Sequence, residues 1–251
     1  MSIPIALQLY SVRDDCARDF FGTIAAVAAM GYAGVEFAGY HGTSAADLKK
    51  VLDDNGLLCA GTHAGYNTLQ DDAIDATIEY HLALGCKNLI VPWLPEETRS
   101  TPEACKETAD KLNLISEKLR PHGLRTGFHC HEGDMHKLEN GKSAWDLLAE
   151  YTTPDFILQY DTANGMAGGA DPVQPILDWP GRGLSTHLKE WAGEHGTKVI
   201  GEGLIPWAKV FEACETVGGT EWYVVEHESY EGMTPLEAVA ACLTNLRAMG
   251  K

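Results

Sequence analysis

A chain of 251 residues with 36 acidic and 19 basic side chains carries a formal charge of −17 at neutral pH. A field of that sign repels nucleic acid and anionic membrane, so neither is expected as a partner. Seven widely spaced cysteines with no CxxC pair fit reduced thiols in a cytoplasmic protein better than a disulfide framework.

The N-terminus, MSIPIALQLYSVRDD, has no basic region followed by an apolar run and does not read as a secretion signal. The first strand candidate, Ile5–Tyr10, runs into QLYSVRDD with neither GxGxxG nor GxxxxGK[ST] after it. FFGTIAAVAAM follows with apolar residues at three- and four-residue spacing, a helix. The glycine of AAMGYAGVEF closes it in a left-handed cap and turns the chain into a second strand, Gly34–Phe37. DDNGLLCAGTH repeats the device before Leu58–His63. The helical DDAIDATIEYHLAL leads through LALGCKNLIVP to Asn88–Pro92, and PEACKETADKLNLISEKL through RPHGLRTGFHC to Arg125–Cys130. Strands at Phe156–Asp161, Leu184–Lys189 and Trp222–His227 follow, the last entered through ETVGGTEWYVVE, and TPLEAVAACLTNLRAM ends the chain as a helix.

Eight strand–helix units with a period of about 30 residues describe a (β/α)8 TIM barrel. No linker, low-complexity tract or shift of composition divides the chain, so a single domain spanning 1–251 is expected. No apolar stretch reaches the length of a membrane span. A doubly wound open sheet is the rival fold, but it would show a phosphate turn after its first strand.

Barrel enzymes gather their chemistry where strands end, and these strand ends are rich in acids and imidazoles. Strand two ends near Glu36, three at His63, six at Asp161, seven at His187 and Lys189, and eight at Glu226 and Glu228. Strand five ends in GFHCHEGD, where His129 and His131 stand two apart and therefore share one face, while Cys130 points the other way into core. Buried acids and imidazoles are costly unless paired or ligated. His129, Asp161, His187 and Glu226, one from each of the last four strands, form a mixed nitrogen and oxygen set suited to a divalent ion: Mn²⁺ first, with Zn²⁺, Co²⁺ or Mg²⁺ as alternatives.

At this point the chain resembles a known family. IALQLYSVRDD, GYAGVEFAGYHG, IVPWLPEE, GFHCHEGD, LQYDTAN, THLKEW, IGEGLIPW and VVEHES fall in the order of the sugar phosphate isomerase/epimerase family, the xylose isomerase-like TIM barrels that include inosose dehydratase and ketose 3-epimerases. The resemblance implies a divalent metal at the strand ends, with Asp161, His187 and Glu226 matching three of its ligands. It departs at strand five, where isomerases and epimerases of the family usually carry a glutamate and this chain has His129. Inosose dehydratase, with a run of histidines there, is more similar. Glu132 or Asp134 remains an alternative fourth ligand.

The expected activity is metal-dependent isomerisation or epimerisation of a keto sugar or polyol-derived ketone through an enediolate. Dehydratase or lyase chemistry on an inosose or 3-keto-glycoside is the alternative, followed by a non-catalytic sugar-binding subunit. Glu226 is the candidate base, His131 a group titrating near neutrality, and Lys189 a donor to a developing oxyanion. Glu36 and His63 are candidate hydroxyl contacts. Trp93 is a candidate for stacking on a sugar face, and Glu202, between two glycines, a further binding residue. Trp207 is expected to open a helix and pack. His41, His81, His122, His136 and His195 receive no role. A DNA-repair endonuclease would share the barrel but needs a basic groove, which the charge denies it. A homo-oligomer is compatible with all of this.

Overall fold

The computed structural model describes residues 2–193, 198–230 and 232–251, which leaves His195 outside the described residues. Its strands are β1 (Ile5–Gln8), β2 (Gly34–Phe37), β3 (Leu58–His63), β4 (Asn88–Val91), β5 (Arg125–His129), β6 (Ile157–Gln159), β7 (Ser185–Leu188) and β8 (Trp222–Val225). All pair in parallel, in the order β6-β5-β4-β3-β2-β1-β8-β7. The free edges of β6 and β7 meet through a parallel bridge between Asp161 and His187 and a bond from His187 N to Tyr160 O of 2.8 Å. Eight parallel strands in a nearly closed ring with helices outside are a TIM barrel, in a single domain.

The helices form where the apolar spacing places them. Phe20–Met30 is N-capped by Asp19, whose side chain accepts from Gly22 N, and closed by Gly31 at φ 96°. Ala73–Leu84 ends the same way on Gly85 at φ 77°. Pro102–Leu119 starts on Thr101, and Pro235–Ala248 on a capping box between Thr234 and Glu237.

Six strands are shorter than their sequence patterns suggest, and the reason bears on the site. The chain leaves the ladder after Gln8, whose side chain accepts from Tyr10 N and starts a 3₁₀ turn, Leu9–Val12. Asp161 leaves β6 to cap the helical turn Thr162–Ala167, accepting from Asn164 N at 2.7 Å. Polar strand-end residues thus spend themselves on loop starts, which carries their side chains over the barrel mouth.

Alternation sorts the rest. Leu7, Val35, Phe37, Leu89, Val91, Phe128, Leu188 and Val225 face the helices in one large apolar cluster. Burying each such side chain is worth about 1.5–3 kcal/mol. Inside, the lower barrel is filled by Ala6, Ala60 and Val224 with Trp222 against them. Above this plug the interior becomes polar. Among the described residues no helix is long and apolar enough to cross a membrane.

Candidate metal centre

Gln8 and Glu226 stand two residues beyond Ala6 and Val224 of the apolar plug, and so on the same inward face. Gln8 of β1 and Glu36 of β2 are register partners, as are His129 of β5 and Gln159 of β6, while Asp161 and His187 form the seam bridge. Barrel closure brings them together. Ligand atoms of His129, Asp161, His187 and Glu226 all lie within 4.8 Å of one another, and all four residues are buried. His63, His129 and His187 form a second, overlapping group within the same limit.

His187 is the hub. Its Nε2 donates to Glu36 Oε1 at 2.7 Å and its Nδ1 to Glu226 Oε2 at 2.7 Å, with Asp161 Oδ2 4.0 Å away. Burial alone would lower its pKa, but the two carboxylates reverse this and raise it to about 10. Glu36 is fully buried, and burial would raise its pKa. The charges of His63 and His187 win and hold it well below the usual carboxylate range. Glu226 is held low in the same way, by Lys189 and His187 against burial. Lys189 reaches Glu226 Oε1 at 3.3 Å, Asn164 Oδ1 at 3.4 Å and Glu228; these carboxylates and Asp161 outweigh burial and keep it charged.

Asp161 differs. Burial pushes its carboxyl up to about 6 against the pull of Lys189. Its Oδ2 is buried with no hydrogen-bond partner, which costs about 1–3 kcal/mol or more for a charged group. An orphaned carboxylate oxygen next to two imidazoles and a second carboxylate fits a divalent cation in both charge and donor type. His129, Asp161, His187 and Glu226 are the residues that would hold it.

A cavity of about 380 Å³ opens above the cluster, lined among others by His63, Trp93, His129, His131, Lys189 and Glu226. Burial lowers His131, and its Nδ1 has no partner. His63 touches the cavity while its Nε2 stands 3.0 Å from both Glu36 Oε1 and Gln159 Oε1. Trp93 is 57% exposed at the rim.

Some candidates lie elsewhere. Glu36 sits beneath the cavity, its oxygens occupied by Gln8, His63, Gln159 and His187. Glu202 is exposed on the loop after β7 and does not line the cavity. Asp134 is bound to Arg99 at 2.6 Å and to His131 N at 2.7 Å, Glu132 is exposed, and neither belongs to the converging group. Trp207 opens the helix Trp207–Ala213, packs, and donates to the buried Glu190. Cys130 lies in the core, with Asp161 N donating to its Sγ at 3.1 Å. His81 is buried between Thr62 and Tyr40 and bonded to Thr77 O, so it serves the fold.

Sequence reading missed Gln8, Gln159 and Asn164. For Gln159 a signal existed: it stands two before Asp161 and so shares its inward face.

The chain belongs to the xylose isomerase-like TIM barrel family, whose model matches residues 24–248. The rhizopine catabolism protein MocC of Rhizobium meliloti is 25% identical over 272 residues, 91% of this chain and 82% of that one. An inosose dehydratase of Geobacillus thermodenitrificans is 24% identical over 243 residues, covering 82% and 80%. A crystal structure of a sugar phosphate isomerase/epimerase from Parabacteroides distasonis superposes with a TM-score of 0.84 at 26% identity over 98% of both chains. The activities named among these relatives are dehydration of an inosose and isomerisation or epimerisation of a sugar phosphate.

Proposed function

We propose that the protein is a divalent-metal-dependent isomerase or epimerase of a keto sugar or a polyol-derived ketone. One observation carries the reading: four ligand side chains converge, one with an orphaned buried oxygen, and two of them, His129 and Glu226, line a cavity of monosaccharide size. Their mixed nitrogen and oxygen chemistry suits Mn²⁺ first, with Zn²⁺, Co²⁺ and Mg²⁺ behind it. When bound, such an ion supplies Lewis-acid polarisation of neighbouring carbonyl and hydroxyl oxygens.

The protein's own groups do the rest. Glu226 is the base that takes the proton next to the carbonyl. It is ionised, and its Oε1 is kept in place by Lys189. Lys189 lines the cavity and donates to the enediolate oxygen as its charge develops. His131 lines the cavity, its pKa lowered by burial, and accepts or returns a proton on the other side. His63 contacts a hydroxyl and Trp93 offers its ring to the sugar's C–H face. Glu36 and Glu202 do not line the cavity and are left out of the contact set.

Where the proton goes next names the reaction. Return to the opposite face is epimerisation, and delivery to the neighbouring carbon is isomerisation. Loss of a β-hydroxyl or alkoxide is elimination, the second reading, supported by the inosose dehydratase relative and by an imidazole at position 129. All seven cysteines are unpaired, which suits a reducing, cytoplasmic compartment.

The test is incubation with Mn²⁺ and a panel of ketoses, 3-keto-glycosides and inososes in D₂O, followed by NMR. Solvent deuterium in recovered substrate, or an epimer or isomer, supports the first reading. An unsaturated product replaces it with the second. No exchange and no product from any member of the panel sinks both.

A further inference from the structure

Below the candidate ligands lies a closed set of hydrogen bonds whose polarity can be worked out atom by atom. Glu36 is fully buried, and its Oε1 is met by Gln8 Nε2 and His187 Nε2, both at 2.7 Å, and by His63 Nε2 at 3.0 Å, so the carboxylate sits among donors and accepts. The group of Gln159 that faces Glu36 Oε2 at 2.8 Å must therefore be its NH₂, which also meets Ser185 Oγ at 2.8 Å. That leaves Gln159 Oε1, an acceptor only, against His129 Nδ1 at 3.0 Å and His63 Nε2 at 3.0 Å. Both ring nitrogens must carry hydrogen.

A second amide agrees from the opposite side. Asn164 Oδ1 accepts from the Lys189 ammonium at 3.4 Å, so its NH₂ is the group that donates to Cys130 O at 3.0 Å and faces His129 Nε2 at 3.5 Å. A donor there requires a lone pair on Nε2. Two amides, each oriented by a neighbour that can play only one part, give the same answer for the ring between them.

We propose that Gln159 is a positioning residue that holds His129 in its Nδ1–H tautomer, leaving a bare Nε2 on the side of Asn164, which lines the cavity. Its bearing on metal binding rests on the reading of the site given above. A ligating imidazole whose other nitrogen donates to a fixed acceptor keeps its tautomer and orientation, and losing such an outer partner typically weakens metal binding by about tenfold to a hundredfold. Gln159 touches no substrate position; it acts through His129.

The experiment is a long-range ¹H–¹⁵N spectrum of the histidines in ion-free wild-type protein and in Gln159→Met, with His129 assigned from its absence in His129→Gln. Mn²⁺ affinity is measured in parallel by calorimetry. The wild type is expected to show His129 as a neutral ring protonated on Nδ1. Gln159→Met, which keeps length but removes the amide, is expected to show a mixture of tautomers and a Mn²⁺ dissociation constant raised about tenfold to a hundredfold. A proton on Nε2 in the wild type overturns the proposal even if the variant fails to fold. So does a variant that keeps one unchanged tautomer and wild-type affinity. Should the wild type take up no Mn²⁺, the metal reading fails, while the spectrum still decides where the proton sits.

Discussion

Asp161 shows how one side chain can be divided between fold and chemistry. Its Oδ1 caps a helical turn through Asn164 N, while Oδ2 is buried without a partner and the carboxyl is pushed up to about 6. In a chain built for stability alone, an amide or a smaller side chain would serve that cap at less electrostatic cost. Asp161→Asn keeps a capping oxygen, so its folding stability without metal is expected to equal or exceed that of the wild type. It should lose the thermal stabilisation that Mn²⁺ gives the wild type, about 2.7 kcal/mol at a hundred times the dissociation constant. Thermal unfolding with and without Mn²⁺ measures both, and equal stabilisation of the two proteins would remove Asp161 from the ligand set. At this scale the period of two was enough to place His129 inward and Cys130 in the core. It could not say that Glu36 would be consumed by four neighbours, because one of them, His187, is 151 positions away.

At the scale of elements, the four helices read from the sequence match Phe20–Met30, Ala73–Leu84, Pro102–Leu119 and Pro235–Ala248 to within two residues, because apolar stripe, cap and closing glycine are local signals. The ranges of β2 and β3 match, and the other six strands were read too long, chiefly because their last residues obey the loops rather than the ladder. One inter-element tie gave no signal at all. Arg182, just before β7, is buried and donates to Phe156 O at 3.1 Å, Thr152 Oγ1 at 2.7 Å and Ala149 O, tying the end of the helix Ala144–Tyr151 to the seam strands. Burial lowers its pKa to about 10, so it remains charged near neutrality. Arg182→Met leaves those acceptors unsatisfied, each at about 1–3 kcal/mol. Denaturant unfolding is expected to show a loss of a few kcal/mol with the slope unchanged. Arg182→Lys should recover only part of it, since an ammonium cannot reproduce the planar fork. Wild-type stability in Arg182→Met would show the tie to be idle.

For the whole molecule, the acidic charge and the barrel's seam are the features that matter. The ring is least paired between β6 and β7, where Asp161 and His187 form an isolated bridge, and those two residues belong to the converging group. An ion shared by both strands would brace the seam. Hydrogen exchange should therefore be faster at the His187 amide than in β1, which is paired on both sides by β2 and β8. Added Mn²⁺ should slow it, with little effect on β1. Uniform protection around the ring, unaltered by Mn²⁺, would contradict this.

The amino-acid sequence by itself determined the barrel and the identity of the four groups that converge at its strand ends. Those depend on short-range rules: a period of about 30, alternation along strands and glycine after helices. Only the tertiary structure decided that Glu36 lies beneath the cavity rather than in it, that Glu202 faces solvent, that Asp134 is spent on Arg99, that Gln8 meets Glu36, and that Gln159 and Asn164 meet His129. The physical reason is ring closure. The stagger between neighbouring strands sets which inward side chains share a level, and no stretch of chain records the register it will adopt against a partner far away in sequence.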